Sequence, residues 1–208
     1  DDHCVFIHCI GFSDDDIAKT AKAGASVSWC PASNMFMFNA TCKIRKMLRA
    51  GINVAIGTDS TATGSVNLLA EMKFARETYR EMYGEDLPAS ILFKMVTTNP
   101  AKAFRMADRV GALEPGMDAD VLVLKARKDE PYENLAAAAM EDIEFLSVGG
   151  VPVLAEKRFE ELLPDSGYEE LSVGGRAVYV KGEPATLYRS VREAVGFKKR
   201  LDYLPFDC

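Results

Sequence analysis

Basic residues are in the minority: 25 Lys and Arg stand against 31 Asp and Glu, a formal net charge of -6 over 208 residues. The charges are interspersed, without long runs of one sign. No basic surface of the kind that nucleic acid or an anionic membrane requires is expected, and a small neutral or cationic substrate suits the chain better. No stretch approaches the roughly 20 apolar residues of a membrane span. The opening Asp1-Asp2-His3 lacks the basic and apolar regions of a secretion signal, so a cytoplasmic protein is expected. The five cysteines (Cys4, Cys9, Cys30, Cys42 and Cys208) are odd in number and contain no CxxC pair. That is a poor framework for disulfides or structural zinc, and points to reduced, mostly buried thiols. No candidate strand is followed by a glycine-rich phosphate loop, which excludes a dinucleotide-binding enzyme.

What is present alternates. Cys4 to Ile10 is a continuous apolar run, as expected of a strand buried on both faces of a parallel sheet. It opens with no leader before it, and on that ground further chain is expected upstream. Ser13 with Asp16 three residues on forms a capping-box start for a helix over Asp14 to Ala23, stopped by Gly24. Ala25 to Trp29 reads as a second strand closed by Pro31. A helix follows near Lys43 to Ala50, with Ile44, Met47 and Leu48 as its apolar stripe. Ile52 to Ile56 is a third strand, ending in Gly57-Thr58-Asp59-Ser60. Short loops between these elements imply parallel pairing, hence an α/β barrel or an open doubly wound sheet.

From Ser65 to Tyr83 a long helix is expected, with Leu68, Met72, Ala75, Tyr79 and Met82 at helical spacing. Pro88 fits the first position of the next helix, and Asn99-Pro100 the boundary to another that runs through Met106. After Asp108 the pattern changes to short strands: Val121 to Leu124, Ile143 to Val148, Val151 to Ala155, Glu170 to Val173 and Ala177 to Val180. Two domains are expected, 1–108 and 109–208. Within the second, Leu146-Ser147-Val148-Gly149-Gly150 is echoed by Leu171-Ser172-Val173-Gly174-Gly175, which reads as two hairpins with glycine turns. A last helix is expected over Thr186 to Phe197.

In parallel α/β folds, reactive groups collect just beyond the C-terminal ends of strands. Asp59 is in such a place, suited to bind a cation, take a proton, or cap the following helix. His8 lies late in the first strand, as a ligand or a hydrogen-bonded core residue. Ser33 and Asn34 follow the second strand and can meet a substrate or brace the loop. His3, at the opposite end of its strand, reads as a surface residue.

Five stretches together carry a family resemblance: Val5-Phe6-Ile7-His8-Cys9, Cys30-Pro31-Ala32-Ser33-Asn34, Gly57-Thr58-Asp59-Ser60, Thr97 to Ala103, and Gly111 to Leu124. In this order and spacing the chain resembles the amidohydrolase superfamily, in its chlorohydrolase and aminohydrolase branch with cytosine-deaminase-like enzymes. The resemblance implies an α/β fold: the C-terminal part of a (β/α)8 TIM-type barrel, strands 6 to 8, plus a small β-sandwich-type domain. It implies a metal-dependent hydrolase acting on a C–N or C–Cl bond of a small heterocyclic molecule, with zinc or iron as cofactor. Asp59 would bind the metal and accept a proton. His8 would meet substrate or attacking water, or ligate a second metal, while Ser33, Asn34 and Ser60 would line the substrate side. The family's paired first-strand histidines, fifth-strand histidine and catalytic glutamate would lie upstream of Asp1. Trp29 stands where many relatives have histidine. The implied partner is therefore the missing N-terminal half or a companion chain, with the isolated chain inactive. The alternative is a non-catalytic association module or one subunit of a split enzyme, oligomeric through exposed sheet edges.

Overall fold

A computed structural model describes residues 1–197 and 206–207; Cys208 lies outside the described residues. The chain divides into two compact units, one of residues 1–117 and 128–137, the other of 118–127 and 138–208. Among the described residues no helix is long and apolar enough to cross a membrane.

The first unit is built on three parallel strands, β1 (Val5–Ile7), β2 (Ser26–Trp29) and β3 (Asn53–Ile56), in the order β1-β2-β3. Between β1 and β2 runs α1 (Asp14–Ala23). Its capping box is closed in both directions, Ser13 Oγ accepting from the Asp16 amide and the Asp16 carboxylate accepting from the Ser13 amide. Gly24 ends α1 in a left-handed conformation at φ 69°, where a side chain would be strained. β1 departs from the expected run. It is three residues long, and Phe6 and Ile7 are 41% and 60% exposed, because β1 is the outer strand of this sheet and, among the described residues, only one edge of it is paired. His8 and Cys9 have left the strand, at φ 67° and 52°. The His8 amide still donates to Ser28 O at 3.0 Å.

Pro31 starts a helix where a strand-closing loop was expected. In α2 (Pro31–Phe38) it occupies the first position, where a missing N–H costs nothing and the ring's fixed φ suits the turn. Next come α3 (Ile44–Arg49) and α4 (Leu68–Tyr83). α4 begins three residues later than expected because Asn67 caps it, its side-chain oxygen accepting from the Ala70 amide at 2.9 Å. The stripe's middle, Met72, Ala75 and Tyr79, is buried, whereas Leu68 and Met82 at its ends are exposed. α5 (Ala89–Val96) follows Pro88, which stands just before the helix. Asn99 and Pro100 fall inside α6 (Thr98–Ala103) instead of dividing two helices. Asn99 Nδ2 donates to Val54 O at 2.8 Å while Asn99 O accepts from Asn53 Nδ2 at 3.0 Å, so this residue ties α6 to β3.

A helix absent from the sequence reading, α7 (Pro131–Ala137), also belongs to this unit. Arg76 on α4 grips Glu133 on α7 through two hydrogen bonds of 2.6 and 2.8 Å, and Tyr132 packs on Phe93 of α5. A planar guanidinium matched to both carboxylate oxygens fixes orientation as well as distance.

The second unit holds β4 (Val121–Leu124), β5 (Ile143–Val148), β6 (Val151–Glu156), β7 (Tyr168–Val173), β8 (Arg176–Lys181), α8 (Pro184–Val195) and β9 (Phe206–Asp207). These six strands form one antiparallel sheet, ordered β4-β5-β6-β8-β7-β9. The repeated pentapeptide makes the two hairpins it suggested. Val148 pairs with Val151 and Val173 with Arg176, leaving Gly149-Gly150 and Gly174-Gly175 as the two-residue turns, all four at positive φ. Leu171, Val173, Val178 and Ala185 form a hydrophobic core cluster in this unit, and Phe145 and Ala155 are buried as well.

Candidate functional site

The C-terminal ends of the three parallel strands bring their chemistry together. Beyond β3 the chain turns at Asp59, which has φ 56°, a conformation that costs a non-glycine residue about 1 kcal/mol or more. Asp59 does not cap α4, since Asn67 does that. Its carboxylate faces back over the sheet. Ser33, in the first turn of α2, donates from Oγ to Asp59 Oδ2 at 2.5 Å. His8 Nε2 lies 3.9 Å from the same oxygen, beyond hydrogen-bond reach but within electrostatic range. The side chains of His8 and Asp59 are 37% and 31% exposed, so both remain accessible to a ligand.

Ser33 is buried, and its hydroxyl is the main cause of an Asp59 pKa held below the usual aspartate value. The Ser60 amide, the His8 imidazole and the Thr63 hydroxyl act in the same direction, against a smaller desolvation effect. Asp59 is therefore an ionised carboxylate at neutral pH. Asn34, fully buried, meets His8 across 2.8 Å from Oδ1 to Nδ1, and its Nδ2 donates to Thr41 Oγ1 at 3.1 Å. Four of the five residues singled out from the sequence thus connect through side chains. The fifth, Ser60, joins them through its backbone amide, which bonds the Asp59 carboxylate, and it braces the loop with its hydroxyl, accepting from the Ala62 amide at 3.0 Å, and its carbonyl, accepting from the Gly64 amide at 2.7 Å. His3 is exposed and contacts Asp2 and Arg105.

The loop 58–64 holds Asp59 through a close backbone approach. A Cβ on Gly64 would lie 1.9 Å from Thr58 O, so only glycine fits there. At Gly57 a Cβ would meet Ser28 Oγ at 2.7 Å and Cys30 Sγ at 3.0 Å.

Sequence reasoning missed three contributors. Thr41 and Thr63 carry no local signal, because their partners are many residues away. Glu71 had one: it stands four residues before Ala75, on the apolar stripe of α4. It is completely buried, and its Oε1 accepts from the Ala32 amide at 2.9 Å. Cys30, the residue before α2, supplies no side-chain cap, and Pro31 has no N–H. Glu71 thus caps, from another helix, the helix that carries Ser33 and Asn34. Burial raises its pKa, against hydrogen bonding from Ser65 and Ala32.

Among the described residues no cluster of three or more His, Cys, Asp or Glu side chains could hold a metal ion. Asp59 and His8 are suitable donors by type, but they are two, and a catalytic zinc uses three protein ligands.

A sequence model of the amidohydrolase family matches residues 1–158. The chain belongs to the amidohydrolase family. The chain is 32% identical over 161 residues to a 5-methylthioadenosine/S-adenosylhomocysteine deaminase from Desulforudis audaxviator, an alignment covering 73% of the chain and 37% of that relative. The chain thus spans under half the length of the curated relatives it matches. Among solved structures, an adenosine deaminase from Xanthomonas campestris with bound zinc superimposes with a TM-score of 0.69 at 24% identity, covering 78% of this chain and 38% of that one. An atrazine chlorohydrolase from Arthrobacter aurescens, complexed with zinc, gives 0.64 at 26% identity, covering 72% and 35%. The amidohydrolase fold of these proteins is the setting of the strand-end cluster around Asp59.

Proposed function

We propose that the chain supplies the last three strands of a (β/α)8 barrel and one wall of the active site of a cytoplasmic, metal-dependent hydrolase. The substrate is a small heterocycle that loses an amino group or a chloride. One observation carries this reading: His8, Ser33 and Asp59, each beyond a different parallel strand, meet at one oxygen, Asp59 Oδ2. The deaminase and chlorohydrolase relatives support the choice of bond. Three free thiols buried in the fold support a reducing compartment.

Asp59 and His8 would contribute to holding a divalent metal, zinc in the first instance, with the remaining ligands from outside this chain. Such a metal lowers the pKa of bound water towards neutrality. This chain's part is to present an ionised carboxylate that takes a proton, held in orientation by Ser33, with His8 beside it to meet the substrate. The companion segment docks along the unpaired edge of β1, where Phe6 and Ile7 are exposed.

The test is to purify the chain alone and again with a segment supplying the missing histidine ligands. Zinc content and hydrolysis of adenosine-type and chlorotriazine substrates are then measured. Zinc-dependent turnover only in the combined sample, abolished by Asp59→Asn, is expected. Stoichiometric zinc with turnover by the chain alone overturns the incomplete-site reading, and turnover that survives Asp59→Asn overturns the role of Asp59.

A further inference from the structure

Trp29 is wholly buried at the end of β2, and its indole Nε1 donates to Thr41 Oγ1 at 2.8 Å. An indole nitrogen can only donate, so the direction of the hydrogen bond is fixed at this end and Thr41 accepts. The same oxygen accepts a second bond, from Asn34 Nδ2 at 3.1 Å. Two lone pairs are then used, so both acceptor sites of the hydroxyl are filled by these donors. With its amide nitrogen committed to Thr41, Asn34 turns Oδ1 towards His8 Nδ1 at 2.8 Å. A carbonyl oxygen only accepts, so Nδ1 carries the proton, and a neutral imidazole then leaves Nε2 without one.

We propose that Trp29, Thr41 and Asn34 are positioning residues that hold His8 in its Nδ1–H tautomer, with the Nε2 electron pair turned to the side of Asp59. The gap between Nε2 and Asp59 Oδ2, 3.9 Å, is then flanked by two acceptors. Such a gap attracts a cation or a proton donor, such as a water or a substrate N–H. With the amide of Asn34 reversed, Thr41 would donate to Oδ1, the NH2 would face Nδ1, and His8 would present an N–H to the carboxylate instead. The use of the electron pair rests on the hydrolase reading; the tautomer itself does not. Trp29, in this arrangement, acts through two other side chains and does not touch substrate.

The chain has two histidines, so His3→Gln leaves one imidazole to observe. Long-range 1H–15N correlation spectra of His8 in that variant of the full chain, without metal or substrate and above the pH at which imidazole is protonated, read the tautomer directly. A protonated-type Nδ1 and an unprotonated-type Nε2 are expected. Adding Thr41→Val, which removes the shared acceptor, shifts His8 to a mixture, and Thr41→Ser restores the single form. An Nε2–H signature with Thr41 intact overturns the proposal, as does a signature unmoved by Thr41→Val. If the valine variant fails to fold, the spectrum of the His3→Gln chain alone still decides. Hydrolysis is not measured, so a failure of the enzyme assignment would leave this result standing.

Discussion

Ser33 and Asp59 are 26 residues apart in sequence and 2.5 Å apart in space, joined by a hydrogen bond from a helix's first turn to the end of a strand. The serine is buried and the aspartate partly open to solvent, so the bond holds a solvent-facing carboxylate by a fixed inner partner.

Removing that partner tests it. Ser33→Ala takes away the largest cause of the lowered Asp59 pKa, and the value should rise towards that of an ordinary aspartate. A carboxylate with a depressed folded pKa stabilises the fold above its unfolded pKa, and this contribution is lost as pH falls through the folded value. Stability of Ser33→Ala should therefore vary less with pH below ~4 than that of the parent. Carboxyl 13C titration of Asp59, with urea unfolding in the same pH range, measures both effects.

Glu71 titrates in the opposite sense. Its folded pKa is raised, so the unfolded chain releases the proton first and the fold loses stability as pH rises from the ordinary glutamate value through the folded one. Glutamine keeps an acceptor for the Ala32 amide and has no charge to bury. Glu71→Gln should match the parent at ~pH 4 and gain on it towards ~pH 8. Glu71→Ala should cost about 1–3 kcal/mol, because the first free amide of α2 loses its partner. Urea melts at the two pH values separate these outcomes.

Gly64→Ala should disrupt the loop of Asp59 more than the fold. The added methyl collides with the Thr58 carbonyl, a backbone atom that cannot swing aside, and Thr63 and Asp59 move with the loop. The expected result is a folded chain whose Asp59 pKa shifts upward, read by the same carboxyl titration. An unchanged titration would contradict the packing described for 58–64.

The thiols make a fourth prediction. Burial raises Cys9 and Cys30 to about 11 and Cys42 to about 12, whereas Cys4 is exposed. In a Cys208→Ser background, one thiol should react with a disulfide reagent at ~pH 8, and three more only after denaturant is added. Fast labelling of a second thiol in the native chain would run against the burial described.

Much of this architecture was legible where a residue's job is local. Ser13, Asp16 and Gly24 bound α1 through contacts three to four residues long, and the paired glycines bound two hairpins by their own torsions. The strand-end positions of Asp59 and Ser33 followed from topology. Less legible was anything settled by distant partners. Pro31 reads equally as the end of a strand and the start of a helix, and α2's missing cap comes from Glu71, 39 residues beyond the Ala32 amide it accepts from. His8 lies in an apolar run that suggests a strand, yet its backbone turns left-handed immediately after Ile7. Thr41 and Glu133 give no sign in the sequence that Trp29 and Arg76 depend on them.

The course of the chain between the two units has a practical outcome. Residues 128–137 sit with the first unit although the segments on both sides of them belong to the second. No single scission separates the two units: cleavage after residue 117 deprives the first of α7 and strands Arg76 without Glu133, and cleavage after residue 137 takes 118–127 from the second. Truncations meant to isolate a minimal fragment should therefore keep residues up to 137 attached, or splice them back by a short linker.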